Sequence, residues 1–91
     1  MQIHVQLFSI LRDCLPPGTQ RGQTNVTLAD GATLADLITH LGVDENLGFA
    51  AEEIAAKARW QVLVSDKFEA DMGRVLRDGD EVKILPPISG G

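Results

Sequence analysis

Ile3, Val5 and Leu7 alternate with Gln2, His4 and Gln6, the period-two pattern of a strand with one buried face. From Ser9 the spacing turns helical, with Ile10, Leu11 and Cys14 on one side and Pro16-Pro17-Gly18 ending the run, which predicts one or two helical turns. Asn25-Val26-Thr27-Leu28 is a short run of strand-favouring residues suited to pair with the first strand. After the Asp30-Gly31 turn, Leu34, Leu37, Ile38 and Leu41 take the i, i+3, i+4, i+7 positions of an amphipathic helix. Thr33 is placed to cap it, Asp36 to complete a capping box, and Gly42 to stop it. Leu47 to Arg59 favours helix by propensity over a weak apolar stripe, and is expected to be a short surface helix. Trp60, Val62 and Val64 alternate with Gln61, Leu63 and Ser65 as a further strand, ended by a turn at Ser65-Asp66-Lys67. Phe68, Met72, Val75 and Leu76 are scattered apolar anchors, and Asp78-Gly79 is a turn signal before the alternating strand Glu81-Val82-Lys83-Ile84-Leu85. The order predicts an α+β fold, a sheet with its main helix packed on one face.

The chain has 91 residues, enough for one domain with one modest core. Hydrophobic residues make up 44% and charged residues 23%, which describes a globular chain. A formal charge of -5 opposes binding to phosphate backbones, which needs clustered Lys and Arg, so nucleic acid is not an expected partner. Cys14 is the sole cysteine, so neither an internal disulfide nor a cysteine-based metal site is available to one chain. No segment reads as a secretory signal or a membrane span. A cytoplasmic location is the expectation.

After Leu85 the character changes abruptly to Pro86-Pro87-Ile88-Ser89-Gly90-Gly91. Two consecutive prolines donate no ladder hydrogen bonds and hold the chain extended, so they end the sheet and project the last four residues away from it. Gly90 and Gly91 lack a Cβ, which suits a channel too narrow for other residues. The reactive group at such a tip is the carboxylate of Gly91. A carboxylate becomes electrophilic once ATP converts it to an acyl-adenylate, which sulfur or an amine can then attack. These features divide the chain into a domain over residues 1–85 and an extended, flexible tail over 86–91.

Leu76-Arg77-Asp78-Gly79-Asp80-Glu81-Val82, joined through Leu85 to Pro86-Pro87-Ile88-Ser89-Gly90-Gly91, resembles the C-terminal signature of the MoaD/ThiS family of sulfur carriers, above all its molybdopterin synthase branch. Phe8-Ser9-Ile10-Leu11-Arg12-Asp13 is similar to the segment after the first strand in that branch. The resemblance implies a β-grasp, ubiquitin-like fold. It implies adenylation of Gly91 by an E1-like activating enzyme that consumes ATP, transfer of sulfur from a donor protein, and a terminal thiocarboxylate. It also implies insertion of the tail into a large synthase subunit, with Gly91 as the acyl carrier and Gly90 as its slim neighbour. No bound cofactor, no metal and no catalysis by the chain alone are expected. The sequence departs from the family pattern between Leu47 and Ala58, and Val64-Ser65-Asp66-Lys67 replaces a Val-Asn-Gly type of turn.

Other candidates read as structural. Cys14 lies on the apolar side of its short helix and is expected to pack as a small hydrophobe. His4 and His40 have no ligand-spaced companions. Asp44-Glu45, Glu52-Glu53 and Asp78-Asp80-Glu81 are acidic clusters expected to be solvated, and Gly18 to Gly22 lacks the lysine and spacing of a phosphate-binding loop. Phe8, Leu63 and Leu85 fall opposite the main apolar sets and form a candidate partner-binding patch. Two other functions suit the same tail: a ubiquitin-like modifier, whose adenylate is attacked by lysine, and a sulfur carrier for thiazole formation.

Overall fold

The computed structural model describes residues 1–8, 11, 14–15 and 22–87. The alternation at the N-terminus forms β1 (Gln2–Leu7), with Ile3, Val5 and Leu7 wholly buried. β2 (Gln23–Thr27) runs antiparallel to it, pairing Gln2 with Thr27 and Gln6 with Gln23. It starts two residues before the strand-favouring run in the sequence. Of the predicted first helix, Ser9 and Ile10 lie outside the described residues; Leu11 is fully buried, and its N–H donates to the Phe8 carbonyl at 3.2 Å, an i to i+3 turn.

α1 (Leu34–Leu41) has the expected ends. The Thr33 hydroxyl accepts from the Asp36 N–H, the Asp36 carboxylate accepts from the Thr33 N–H, and Gly42 closes the helix at φ +77°. Leu34, Leu37 and Ile38 face the sheet, fully buried. The first-turn N–H groups of Leu34 and Ala35 donate to the carbonyls of Arg74 and Met72 at 3.0 and 2.8 Å. The stretch carrying Met72 and Leu76 is therefore tied to the start of α1, although its own sequence is irregular.

The surface helix expected from Leu47 to Arg59 does not form as one element. Instead α2 (Val43–Leu47) ends at Gly48 in the left-handed region, and Ala51–Glu53 makes a single 3-10 turn. Ala51 and Ile54 are buried. Three-residue spacing of the buried anchors suits the tighter turn, and packing overrides the helical propensity of Glu52 to Lys57.

β3 (Gln61–Val64) comes next, with Trp60 buried just before it. The turn at Ser65 does not end the sheet. Ser65 and Asp66 sit at φ +49° and +69°, the conformation of a two-residue hairpin loop, and β4 (Lys67–Phe68) returns beside β3 with Leu63 opposite Phe68. Here the Ser-Asp pair adopts the backbone that Asn-Gly takes more readily. β5 (Glu81–Leu85) is antiparallel to β3 and parallel to β1. The sheet order is β2-β1-β5-β3-β4, and the core lies between its inner face and α1.

Candidate functional site

The turn from Arg77 to Asp80 launches β5. Gly79 adopts φ +88° and its N–H donates to the Gln2 carbonyl at 2.8 Å, while the Gln2 N–H donates to the Asp78 carboxylate at 2.6 Å. Asp80 accepts from the Arg77 N–H at 2.9 Å, and its carbonyl accepts from the His4 N–H at 3.0 Å. The Asp-Gly-Asp stretch thus clips the start of β5 to the start of β1. Asp78 and Asp80 are occupied as structural acceptors.

That clip sets the parallel register, in which His4 lies beside Glu81 and Leu7 beside Ile84. β5 then ends at Leu85, and Pro86 and Pro87 continue outside any strand, Pro86 half-buried and Pro87 exposed. Ile88, Ser89, Gly90 and Gly91 lie outside the described residues.

The outer face of the sheet carries the candidate patch. Val62, Val64, Val82 and Ile84 point inward, so alternation turns Leu63 and Leu85 outward, both half-buried. Leu63 lies opposite Lys83, and Leu85 opposite Gln61, which places the two leucines diagonally across adjacent strands. Phe8 and Leu85 are each the residue after the Leu7–Ile84 pair, so Phe8 borders the same end of the sheet. The patch has a fourth member that the apolar pattern of the sequence does not announce: Phe68, 72% exposed and opposite Leu63. The available signal is the two-residue spacing between Val64 and Lys67, masked by the absence of Asn-Gly. Beside Phe68 is a shallow cavity of about 160 Å³, with Trp60 and Val62 in its lining. The patch is bordered by Lys83, whose ammonium lies 3.5 Å from the Asp66 carboxylate.

The remaining candidates separate in space. Cys14 is half-buried against the core. His4 Nδ1 is 2.8 Å from Asn25 Oδ1 on the outer face, and His40 is exposed in the last turn of α1. Glu53 pairs with Lys57 at 2.7 Å, and hydrogen bonding to that carboxylate raises the Lys57 pKa. Among the described residues no three His, Cys, Asp or Glu side chains converge as metal ligands, and no helix is long and apolar enough to cross a membrane.

A family model described as the ThiS family matches residues 5–91. No curated protein sequence matches the chain. Among solved structures, the fold is similar to SAMP1 from Haloferax volcanii, at 21% identity and a TM-score of 0.66 over 100% of both chains. It is also similar to a chain in the protein-protein complex of subunits 1 and 2 of molybdopterin-converting factor from Helicobacter pylori, at 21% identity and 0.60 over 100% of both chains. A third likeness is to the BexX/CysO complex of Amycolatopsis orientalis, at 22% identity and 0.56, covering 98% of this chain and 99% of that one. At these identities the likenesses establish a ubiquitin-like β-grasp fold.

Proposed function

Since the chain belongs to the ThiS family, we propose that it carries sulfur as a thiocarboxylate on Gly91. The observation that carries this reading is the extent of the family match, which runs through the Pro86-to-Gly91 tail to residue 91. In the proposed cycle an activating enzyme joins the Gly91 carboxylate to AMP, releasing pyrophosphate from ATP. Sulfur supplied by a donor protein at the sulfide level then attacks the carbonyl carbon, the C–S bond forming as the C–O bond to AMP breaks. The chain itself supplies a slim, extended acyl group and a surface by which partners hold it, while ATP and its catalytic groups belong to the activating enzyme.

Within that reading, the acceptor is the large subunit of a molybdopterin synthase, and the sulfur builds the dithiolene of molybdopterin. The motif from Leu76 to Gly91 supports this, as does the likeness to a molybdopterin-converting factor chain that stands in a complex with its second subunit. The patch formed by Phe8, Leu63, Phe68 and Leu85 is the proposed docking surface. Its Phe8 and Leu85 sit at the end of the sheet at which β5 finishes, so one partner can hold the domain and receive the tail together. The likeness to SAMP1, a small archaeal modifier protein, favours a second reading in which a lysine amine attacks the same adenylate.

Incubating the protein with an activating enzyme, ATP and a sulfur source tests the proposal. Intact mass should show sulfur replacing one oxygen at Gly91, and a chain lacking Gly91 should fold normally yet accept none. A product found only as lysine adducts bearing the Gly90-Gly91 remnant would replace the carrier reading with the modifier reading.

A further inference from the structure

The sheet has two edges, β2 and β4, and they differ in how they are protected. β4 is two residues long, carries Lys67, and adjoins Asp66; short, charged edges resist further pairing. β2 is five residues, Gln23-Thr24-Asn25-Val26-Thr27, with no charge and no proline, and its register with β1 is unbroken from Gln2–Thr27 to Gln6–Gln23. It therefore lacks the usual guards against a further strand.

Two hydrogen bonds fix which backbone groups of β2 are open. The Leu7 N–H donates to the Gly22 carbonyl at 2.8 Å, and the Leu28 N–H to the Met1 carbonyl at 2.9 Å. In an antiparallel pair such bonds recur at every second residue, so residues 22, 24, 26 and 28 direct their backbone groups at β1. Gln23, Asn25 and Thr27 direct theirs away from the sheet. Among the described residues, no backbone group bonds them there.

Beside this edge, on the α1 side, lies a cavity of about 400 Å³ lined in part by Cys14, Thr24, Val26, His40 and Leu41. A strand laid along β2 turns every second side chain to that side, over the cavity. From the open edge and the adjoining cavity together, the geometry points to a strand-addition site on β2. Its occupant is an extended segment of a partner protein with Ile or Leu facing the cavity and Lys or Arg on its flanks.

Size and charge select the occupant. A second copy pairing β2 with β2 about Asn25 turns Thr24 and Val26 to the α1 side, side chains smaller than the Ile or Leu of such a segment, with Leu28 only beyond the strand end. It also brings together two chains of charge -5. Among the described charges, Asp44 and Glu45 open α2 just after Leu41, and Asp30, its side chain 99% exposed and 3.8 Å from the Met1 ammonium, lies three residues past β2. A basic segment complements them, and backbone pairing with alternate side chains in pockets is a recurring mode of peptide recognition. The site is at the far edge of the sheet from Phe68, so it is independent of the sulfur-carrier reading.

The test uses the isotopically labelled full chain and a short peptide of alternating Thr and Ile flanked by Lys pairs, monitored by NMR. Saturable shifts are expected at residues 23–27, His40 and Leu41, with amide exchange at Gln23, Asn25 and Thr27 slowed by about tenfold or more. Asn25→Pro removes an outward donor and no backbone bond to β1, and the side-chain contact to His4 that it loses is lost equally in Asn25→Ala. Asn25→Pro should therefore weaken binding by about tenfold or more, whereas Asn25→Ala should stay within about twofold. Replacing the peptide's Lys by Glu, or N-methylating its alternate amides, should weaken binding by a similar factor and needs no change to the protein. Unchanged β2 amides at saturating peptide, or an Asn25→Pro chain that binds like the parent, would overturn the inference. So would protection of the β2 amides that rises with protein concentration in the absence of peptide, which assigns the edge to a second copy.

Discussion

Phe68 offers the sharpest test of the proposed docking surface, because it is exposed by the fold and explained by nothing within it. A Phe side chain presents about 200 Å², and at 72% exposure about 140 Å² is open to a partner. At 25 cal/mol per Å², complete cover is worth about 3.5 kcal/mol and half cover about 2 kcal/mol, or about thirtyfold in affinity. The replacement Phe68→Ser loses a single cross-strand neighbour, Leu63, worth under about 1 kcal/mol. The fold should survive, with buried Trp60, the sole tryptophan, reporting the thermal transition by fluorescence. Thiocarboxylate formation should then show a KM for the carrier raised about tenfold or more with kcat nearly unchanged, since the reacting carboxylate is untouched. Loading with an unchanged KM, together with unaltered binding to the large subunit, would refute the assignment of this face.

Gly79→Ala tests the β5 clip: nothing lies within 4 Å of the added Cβ, but φ is +88°, so conformation alone should cost about 1–2 kcal/mol. For a domain of this size a melting temperature about 5–15 °C lower is expected in calorimetry, and an unchanged melt would show that the turn tolerates Ala. Asp66→Gly should do the reverse. Relief of a left-handed non-glycine residue, about 1 kcal/mol, exceeds loss of the exposed Lys83 contact, a few tenths, so the melt should rise by about 2–4 °C; a fall would mean that the ion pair outweighs the backbone. At Lys57 the folded pKa is raised by the hydrogen bond and charge of Glu53. The pair's contribution is thus full below the ordinary lysine range and lost as pH climbs through the folded value. Glu53→Gln should return the Lys57 titration, monitored by NMR, to the ordinary value, and persistence of the raised value would place its cause elsewhere.

Local chemistry is what makes an element legible in the sequence. Thr33 and Asp36 specify a capping box, Gly42 a left-handed stop, and the Ile3-Val5-Leu7 alternation a one-faced strand; each is decided within a few residues. The hairpin to β4 is hidden because its loop uses Ser65 and Asp66 where Asn-Gly would announce the turn, and because a two-residue strand carries no periodicity. Without β4, Phe68 resembles one more irregular anchor, and the patch is one residue short. The Leu47-to-Arg59 segment misleads for a different reason. Its helical propensity is a weak prior, and burial of Ala51 and Ile54 three residues apart selects a tighter turn. The end of β5 is visible from composition alone, since Pro86 and Pro87 act through missing donors.

On the proposed reading, Leu85 links recognition to chemistry. It belongs to the proposed docking patch through its place diagonal to Leu63, and it is also the last residue of β5, after which the proposed tail begins. The six residues from Pro86 to Gly91 reach at most about 20 Å. A partner that covers the patch therefore fixes the origin of that reach, and its reactive centre must lie within about 20 Å of where Leu85 is held. On the proposed reading the activating enzyme and the sulfur acceptor are both bound by this geometry, and each needs the same tail and the same face. They must then act in turn, so the carrier has to leave the first before it serves the second. A patch of exposed Phe68 and half-buried Phe8, Leu63 and Leu85, bordered by few charges, fits that need: it contributes enough burial to dock, and with limited pairing to hold it, exchange is governed by the dissociation rate.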